Sequence, residues 1–351
     1  MNARAAPDDA REFFETARRL FESARDARAI EKFFAIGPNV LRVLSARASL
    51  AEKLLPALAH LSIPPARADW TVLMWDDAST GTRMPPPPWD WSTARGQRGE
   101  ILGYNTARIF TVYDADAGAL HLLDAATRTA LYWTHDARRL PGYEIGAPLR
   151  TILHWFAQTQ NMQLVHGGAV GVARAGVLLA GKGGMGKSTT ALACLDSELL
   201  YAGDDYCLVQ NEPQPSVHSL YSSAKLNADS IARLPQLATF IANPNALDRE
   251  KAVLFLAEQW RAKLSRGFPL VALVLPRVRG GRDTTLTPAP LYDALRALGI
   301  STLIQLPRAE ESAARRIQAL ARALPCYTLH LGTDLAQIPR RIAELISELT
   351  P

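Results

Sequence analysis

Gly176–Val209, GVLLAGKGGMGKSTTALACLDSELLYAGDDYCLV, is the stretch whose reading decides the fold. It reads as an apolar strand, a glycine-rich loop, a short helix and then a pair of aspartates. Gly181–Ser188 (GKGGMGKS) satisfies the phosphate-binding pattern G-x-x-x-x-G-K-[ST], with an apolar run before it and a helix-compatible run after it. Glycines at 181, 183, 184 and 186 open backbone dihedrals closed to other residues, so successive N–H groups can turn inward around phosphate oxygens. The helix starting near Lys187 adds its positive N-terminal end. On this reading Gly181, Lys182, Gly183, Gly184, Met185, Gly186, Lys187, Ser188 and Thr189 bind ATP. Lys187 would lie on the terminal phosphates, and the Ser188 hydroxyl would ligate a bridging Mg2+.

Working outward, the 351 residues suffice for two domains and a sizeable core. The net charge of +5 is spread over interspersed arginines and acids, without a basic tail or an aromatic-interleaved basic motif, which argues against nucleic acid as a partner. Three cysteines, Cys194, Cys207 and Cys326, are too scattered for a disulfide framework or a metal-binding C-x-x-C. The N-terminus lacks an apolar signal core, and runs such as Phe268–Leu275 are too short to cross a bilayer. A cytoplasmic protein with no membrane partner is the expectation.

Asp8 to about Leu61 reads as helical, first through Phe13, Phe14, Ala17, Leu20 and Phe21, then from Val40 to Leu58. Trp70–Trp75 reads as a strand, and the prolines of Met84–Trp91 (MPPPPWDW) form a rigid break. ARIFTVY, ALHLL and TALYW, between Glu100 and Trp133, predict an antiparallel meander. A helix over Arg150–Thr159 leads into a strand, Gln163–Val172. Beyond the aspartates come short strands near Cys207–Val209 and Tyr221–Leu226, a mixed helical region over Asp229–Leu264, and a doubly buried strand, Pro269–Val278. The chain then alternates: helix Leu291–Leu298, strand Thr302–Leu306, helix Glu310–Leu324, strand Cys326–Leu331, helix Ala336–Leu349. That rhythm predicts a core sheet with flanking helices.

Two known families share this kind of loop. GKGGMGKSTT resembles the variant loop of partition-type dimeric ATPases, K-G-G-x-G-K-[ST]-T, whose signature lysine corresponds to Lys182; that likeness implies a switch ATPase acting on a protein partner. Those proteins carry the loop at the start of their domain, with the aspartate-rich segment well over twenty residues on. Here the loop lies mid-chain, and Asp204 follows Ser188 by sixteen residues. The shorter interval resembles the HPr serine kinase/phosphorylase family, in which G-x-x-G-x-G-K-S is followed by T-A-L, a short helix and a strand ending in D-D. The matching residues are Gly181, Gly184, Gly186, Lys187, Ser188, Thr190, Ala191 and Leu192, then Gly203, Asp204 and Asp205. His166, in VHGGAV, matches the histidine of the family's H-[GA]-x-x-V strand.

This resemblance covers residues 160–230 well and the C-terminal α/β pattern loosely. It implies an α/β P-loop kinase core of the HPr kinase/phosphoenolpyruvate carboxykinase type over 149–351; the N-terminal half does not resemble that family, and its helical and β-rich pattern reads as an α+β domain, 1–148, that would recognise the acceptor. It further implies an ATP- and Mg2+-dependent phosphotransferase acting on a hydroxyl of a peptide, protein or small molecule. Asp204 or Asp205 would take the hydroxyl proton, with Ser188 and Asp205 on the metal and His166 acting as catalyst or orienting the carboxylate. Chemistry supports the carboxylates independently, because an acid at the end of a core strand beside the loop can offset metal charge and accept a proton. Adjacent strand residues face opposite sides, so one of the pair is expected to enter the site. Lys225 and Arg277 are candidates to stabilise the transferring phosphoryl group. The family's E-x-R-G-x-G segment does not follow the aspartates, which implies an acceptor other than HPr. A homo-oligomer is compatible with all of this.

Overall fold

The structure, a computed structural model, describes residues 7–90, 96, 98–307 and 311–350. The chain forms two compact units: Met1–Leu55 with Leu61–Phe156 and Leu306–Arg308, and Pro56–His60 with Ala157–Gln305 and Ala309–Pro351.

In order, the first part of the chain runs α1 (Pro7–Ala24), β1 (Ile30–Ile36), β2 (Asn39–Ser45), α2 (Ala48–Leu54), β3 (Ser62–Ile63), β4 (Trp70–Asp76), α3 (Asp77–Thr80), β5 (Ile109–Asp114), β6 (Ala119–Asp124), β7 (Thr129–Thr134), α4 (Gly142–Gly146) and α5 (Arg150–Thr159). Its strands make a seven-stranded sheet in the order β3-β1-β2-β4-β7-β6-β5. The β2–β4 and β4–β7 pairs are parallel, and the predicted meander β5–β6–β7 is antiparallel. α1 lays Phe13, Phe14, Ala17 and Phe21 onto Trp75, Leu120, Leu122 and Trp133, so the three- and four-residue spacing forms one buried stripe.

The helix expected over Val40–Leu58 is corrected. A hairpin takes its place, with Ile36 opposite Asn39 across a Gly37–Pro38 turn, and only Ala48–Leu54 is α-helical. Val40, Leu41, Val43 and Leu44 satisfy both periodicities, and the turn residues decide between them. Within the proline-rich run, Met84–Asp90 forms neither helix nor strand, and Trp91 lies outside the described residues.

The second part runs β8 (Gln163–Val172), β9 (Ala175–Ala180), α6 (Lys187–Ala193), β10 (Leu200–Gly203), β11 (Tyr206–Gln210), β12 (Ser216–Ser219), β13 (Ser223–Leu226), α7 (Ala228–Arg233), β14 (Ala252–Phe255), β15 (Gly267–Val278), β16 (Thr285–Pro288), α8 (Leu291–Leu303), α9 (Glu311–Ala323), β17 (Cys326–Leu331) and α10 (Gln337–Leu349). The sheet follows β10-β8-β11-β12-β15-β17-β16, with β9 joined to both β15 and β8. β9 is parallel to β15 and antiparallel to β8, so this is a mixed α/β sheet.

β9 is buried along its whole length because both faces are covered. Val177 and Leu179 face the core built with α6 and α10, whereas Leu178 and Ala180 face the one built with α8 and α9. In β15, Ala272 and Val274 alternate with Leu273 and Leu275 in the same way. The strand expected at Thr302–Leu306 is corrected too, since α8 runs on through Leu303 and a turn follows. Leu298, Ser301 and Thr302 are buried at helical spacing, and this overrides the local alternation. Glu310, the expected start of the next helix, is outside the described residues. Among the described residues no helix is long and apolar enough to cross a membrane.

Candidate active site

The site grows from a change of partner in β8. Residues 163–166 pair with β11 and residues 169–171 with β10, while residues 167–172 also pair with β9. His166 is thus the last residue held by β11, directly opposite Tyr206, and its neighbour Gly167 faces Ala180, where β9 ends and the glycine-rich loop begins. Gly168 has to be glycine: a Cβ there would meet the Gly203 carbonyl at 2.9 Å and the Asp204 Cα at 3.0 Å. That close approach draws the Asp204–Asp205 backbone against β8.

The loop joins β9 to α6 as the motif requires. Gly186, at φ 101°, caps α6 in the left-handed region, and a Cβ there would collide with the Leu331 side chain. Lys187 folds back, its Nζ donating to the Gly181 carbonyl at 2.7 Å and the Lys182 carbonyl at 3.3 Å. Burial lowers its pKa, and the charges of Asp205 and Asp204 oppose that shift. Thr189 lies 3.2 Å, hydroxyl to hydroxyl, from Ser230 of α7. A cleft over the loop is lined by Gly183, Gly184, Lys187 and Ser188 on one side, and by His166, Asp205 and Lys225 on the other.

The two aspartates occupy different surroundings. Asp204 is buried and does not line the cleft, and Ser188, which does, is near enough to its carboxylate to counter part of the effect of burial on its pKa. The Lys225 backbone N–H donates to Asp204 Oδ2 at 3.3 Å, and the Tyr201 hydroxyl lies 3.2 Å from Oδ1. Tyr201 has one proton to give, and the Ser223 carbonyl at 2.9 Å is the nearer acceptor. Burial first, and then the charge of Asp205, raise the Asp204 pKa to about 6.

Asp205 opens into the cleft and is clamped. Its Oδ1 lies 3.1 Å from His166 Nε2, and its Oδ2 lies 2.5 Å from Lys225 Nζ. Burial alone would raise its pKa, but the Lys225 charge and the His166 contact outweigh burial and hold it far below the ordinary carboxylate range. Asp205 is therefore a fixed anion whose position is set by two neighbours. The Lys225 ammonium also stands 5.6 Å from the Tyr206 ring centroid.

Of the residues singled out in the sequence, the structure brings His166, Gly183, Gly184, Gly186, Lys187, Ser188, Thr189, Asp205 and Lys225 to this one cleft. Asp204 sits directly behind it. Gly181, Lys182 and Met185 line a second pocket on the other side of the loop, together with Arg277, whose guanidinium lies 3.4 Å from Asp293. Arg277 thus stands apart from Asp205. The sequence reading missed Tyr201, Tyr206 and Gln305; Tyr206 carries the one local signal, its place directly after the aspartates.

The Ser188 hydroxyl and the aspartate oxygens are hard donors of the kind Mg2+ prefers, so the residues present suit that ion. Among the described residues no three His, Cys, Asp or Glu side chains group to hold a metal on their own. Gly183, Gly184 and the start of α6 likewise suit a polyphosphate.

No protein-family model matches the sequence, and no curated protein matches it. Among solved structures it is similar to the HPr(Ser) kinase/phosphatase from Coxiella burnetii, at 11% identity and a TM-score of 0.30, over 53% of this chain and 95% of that one. A likeness at that level carries no weight on chemistry, and the site's own geometry bears the functional reading.

Proposed function

We propose that the protein is an ATP- and Mg2+-dependent kinase that transfers the γ-phosphoryl group to a hydroxyl of a peptide, protein or small-molecule acceptor. The observation that supports it is the Asp205 carboxylate, fixed between His166 and Lys225 and facing a cleft floored by the loop and Lys187. A P-loop kinase core over the second unit is part of this reading.

In this mechanism the loop N–H groups and Lys187 hold the β- and γ-phosphates. Mg2+ would sit on the Ser188 oxygen; it supplies the positive charge that offsets the phosphate oxygens. Asp204, with Ser188 beside its carboxylate, would accept that hydroxyl's hydrogen and so leave the serine's lone pairs free for the ion. Asp205 accepts the hydrogen bond of the acceptor hydroxyl and aligns it. As the acceptor oxygen bonds to the γ-phosphorus and the bond to the departing ADP breaks, the hydroxyl proton passes late through Asp205 to water; a carboxylate of such low basicity suits this loose transition state, in which positioning matters most. Lys225 neutralises charge at the same point.

The test is incubation with γ-labelled ATP, Mg2+ and panels of serine-containing peptides, proteins and polyols, comparing wild type with Lys187→Ala and Asp205→Asn. Label transfer that is lost in both variants supports the reading. Transfer that survives both substitutions, or wild-type hydrolysis to free phosphate without any transfer, would refute it.

A further inference from the structure

We infer that Gln305 is a positioning residue that holds His166 as its Nε2–H tautomer. This rests on the kinase reading for its catalytic consequence, but the geometry stands alone. The Tyr206 hydroxyl donates to Gln305 Oε1 at 2.5 Å, and that bond orients the amide so that Nε2 faces His166 Nδ1 at 3.4 Å. An amide nitrogen only donates, so Nδ1 has to be the unprotonated ring nitrogen. The ring proton then resides on Nε2, 3.1 Å from Asp205 Oδ1, and is donated to that carboxylate.

The three residues come from different parts of the second unit. His166 and Tyr206 are direct cross-strand partners, with ring centroids 5.4 Å apart. Gln305 follows the end of α8 three residues after the buried Thr302, whose hydroxyl accepts the His166 backbone N–H at 3.0 Å. The end of α8 therefore fixes the histidine twice, once by its backbone and once by its ring. The chain Tyr206, Gln305, His166, Asp205 donates in a single direction and ends on Asp205 Oδ1. With the opposite tautomer, His166 would turn a lone pair toward the anion and push Asp205 out of line.

The test is 15N NMR of the histidine-labelled full chain, with His166 assigned by difference against His166→Gln. Wild type is expected to show Nε2 protonated and Nδ1 bare. Gln305→Leu, at an exposed position, is expected to mix the tautomers, and Gln305→Glu to move the proton to Nδ1. Tyr206→Phe, which frees the amide to rotate, is the second route to the same loss. In the transfer assay Gln305→Leu is expected to lower kcat about 3- to 10-fold with KM for ATP unchanged, the effect of one lost hydrogen bond.

A wild-type Nδ1–H signal, or a tautomer unmoved in both Gln305→Leu and Tyr206→Phe, overturns the proposal. An unchanged kcat despite a moved tautomer overturns the positioning role. A wild-type protein with the expected tautomer and no phosphoryl transfer at all would instead remove the kinase reading and leave the tautomer assignment standing.

Discussion

Lys225 touches both aspartates, one through its backbone and one through its ammonium. Lys225→Met should therefore separate two effects, because the backbone bond to Asp204 survives while Asp205 loses its cation. Removing one partner of a half-buried ion pair leaves the other charge uncompensated. The Asp205 pKa is expected to rise and kcat to fall about 10- to 100-fold, while ATP affinity changes little; steady-state kinetics against binding calorimetry checks this. Asp204 gives a pH signature. It is a carboxyl raised to about 6, so the ionised form that accepts from Ser188 prevails only above that pH. Transfer should decline as pH falls through about 6, and Asp204→Asn should remove that limb along with most of the rate. A flat profile from pH 5 to 8 in wild type would count against the role given to Asp204.

Among the elements, the β8 crossing places the site, and Gly168 is its narrowest point. Gly168→Ala is expected to push the Gly203–Asp204 backbone away, at a cost of about 1–3 kcal/mol, and to lose activity beyond that loss of stability. Chemical denaturation beside the transfer assay tests it. In β9, Leu179→Ala empties a fully buried position between sheet and helices and should cost about 2–5 kcal/mol without altering the pH profile.

What was legible in the sequence follows from distance along the chain. The strand, loop, helix and aspartates lie within one contiguous stretch, and every glycine there except Gly183 answers a local demand, a positive φ or a close neighbour. His166 was visible as a residue but not as part of a relay, because its ring partner Gln305 is 139 positions away. Gln305 was also hidden by the misread strand over Thr302–Leu306, where residues that alternate on paper end a helix instead. The β1–β2 hairpin escapes the sequence for the related reason that its apolar residues satisfy both periodicities, and the Gly37–Pro38 turn decides between them.

Over the whole molecule, each unit buries an acid whose pKa burial raises, Asp204 in the second and Glu144 in the first. In the first unit Glu144 is buried, and burial foremost lifts its pKa to about 7, with Asp114 adding and Arg150 opposing. Between the ordinary carboxylate range and about 7 the folded chain holds a proton that the unfolded chain has released. The contribution of Glu144 to stability should accordingly fall as pH rises across that window and level off above it. Glu144→Gln is expected to flatten the slope and to be more stable than wild type at pH 8, by on the order of 1–3 kcal/mol. Urea midpoints of wild type and Glu144→Gln at pH 5 and pH 8 decide this, because the buried His60 and His121, whose pKa values burial lowers, tilt both proteins alike in the opposite sense; a difference between the two that does not change over the interval would contradict the assignment.

Lys187 carries a consequence of a different kind. Its ammonium is already engaged by the carbonyls of Gly181 and Lys182, so an arriving anion does not meet a free charge but must displace two acceptors. Chloride offers one charge and little directional bonding in exchange for both. A chain of phosphates offers several charged oxygens, and it also satisfies the loop N–H groups that the lysine cannot reach. In the proposed kinase the self-bonded lysine would therefore act as a threshold that multiply charged oxyanions cross more readily than simple salt.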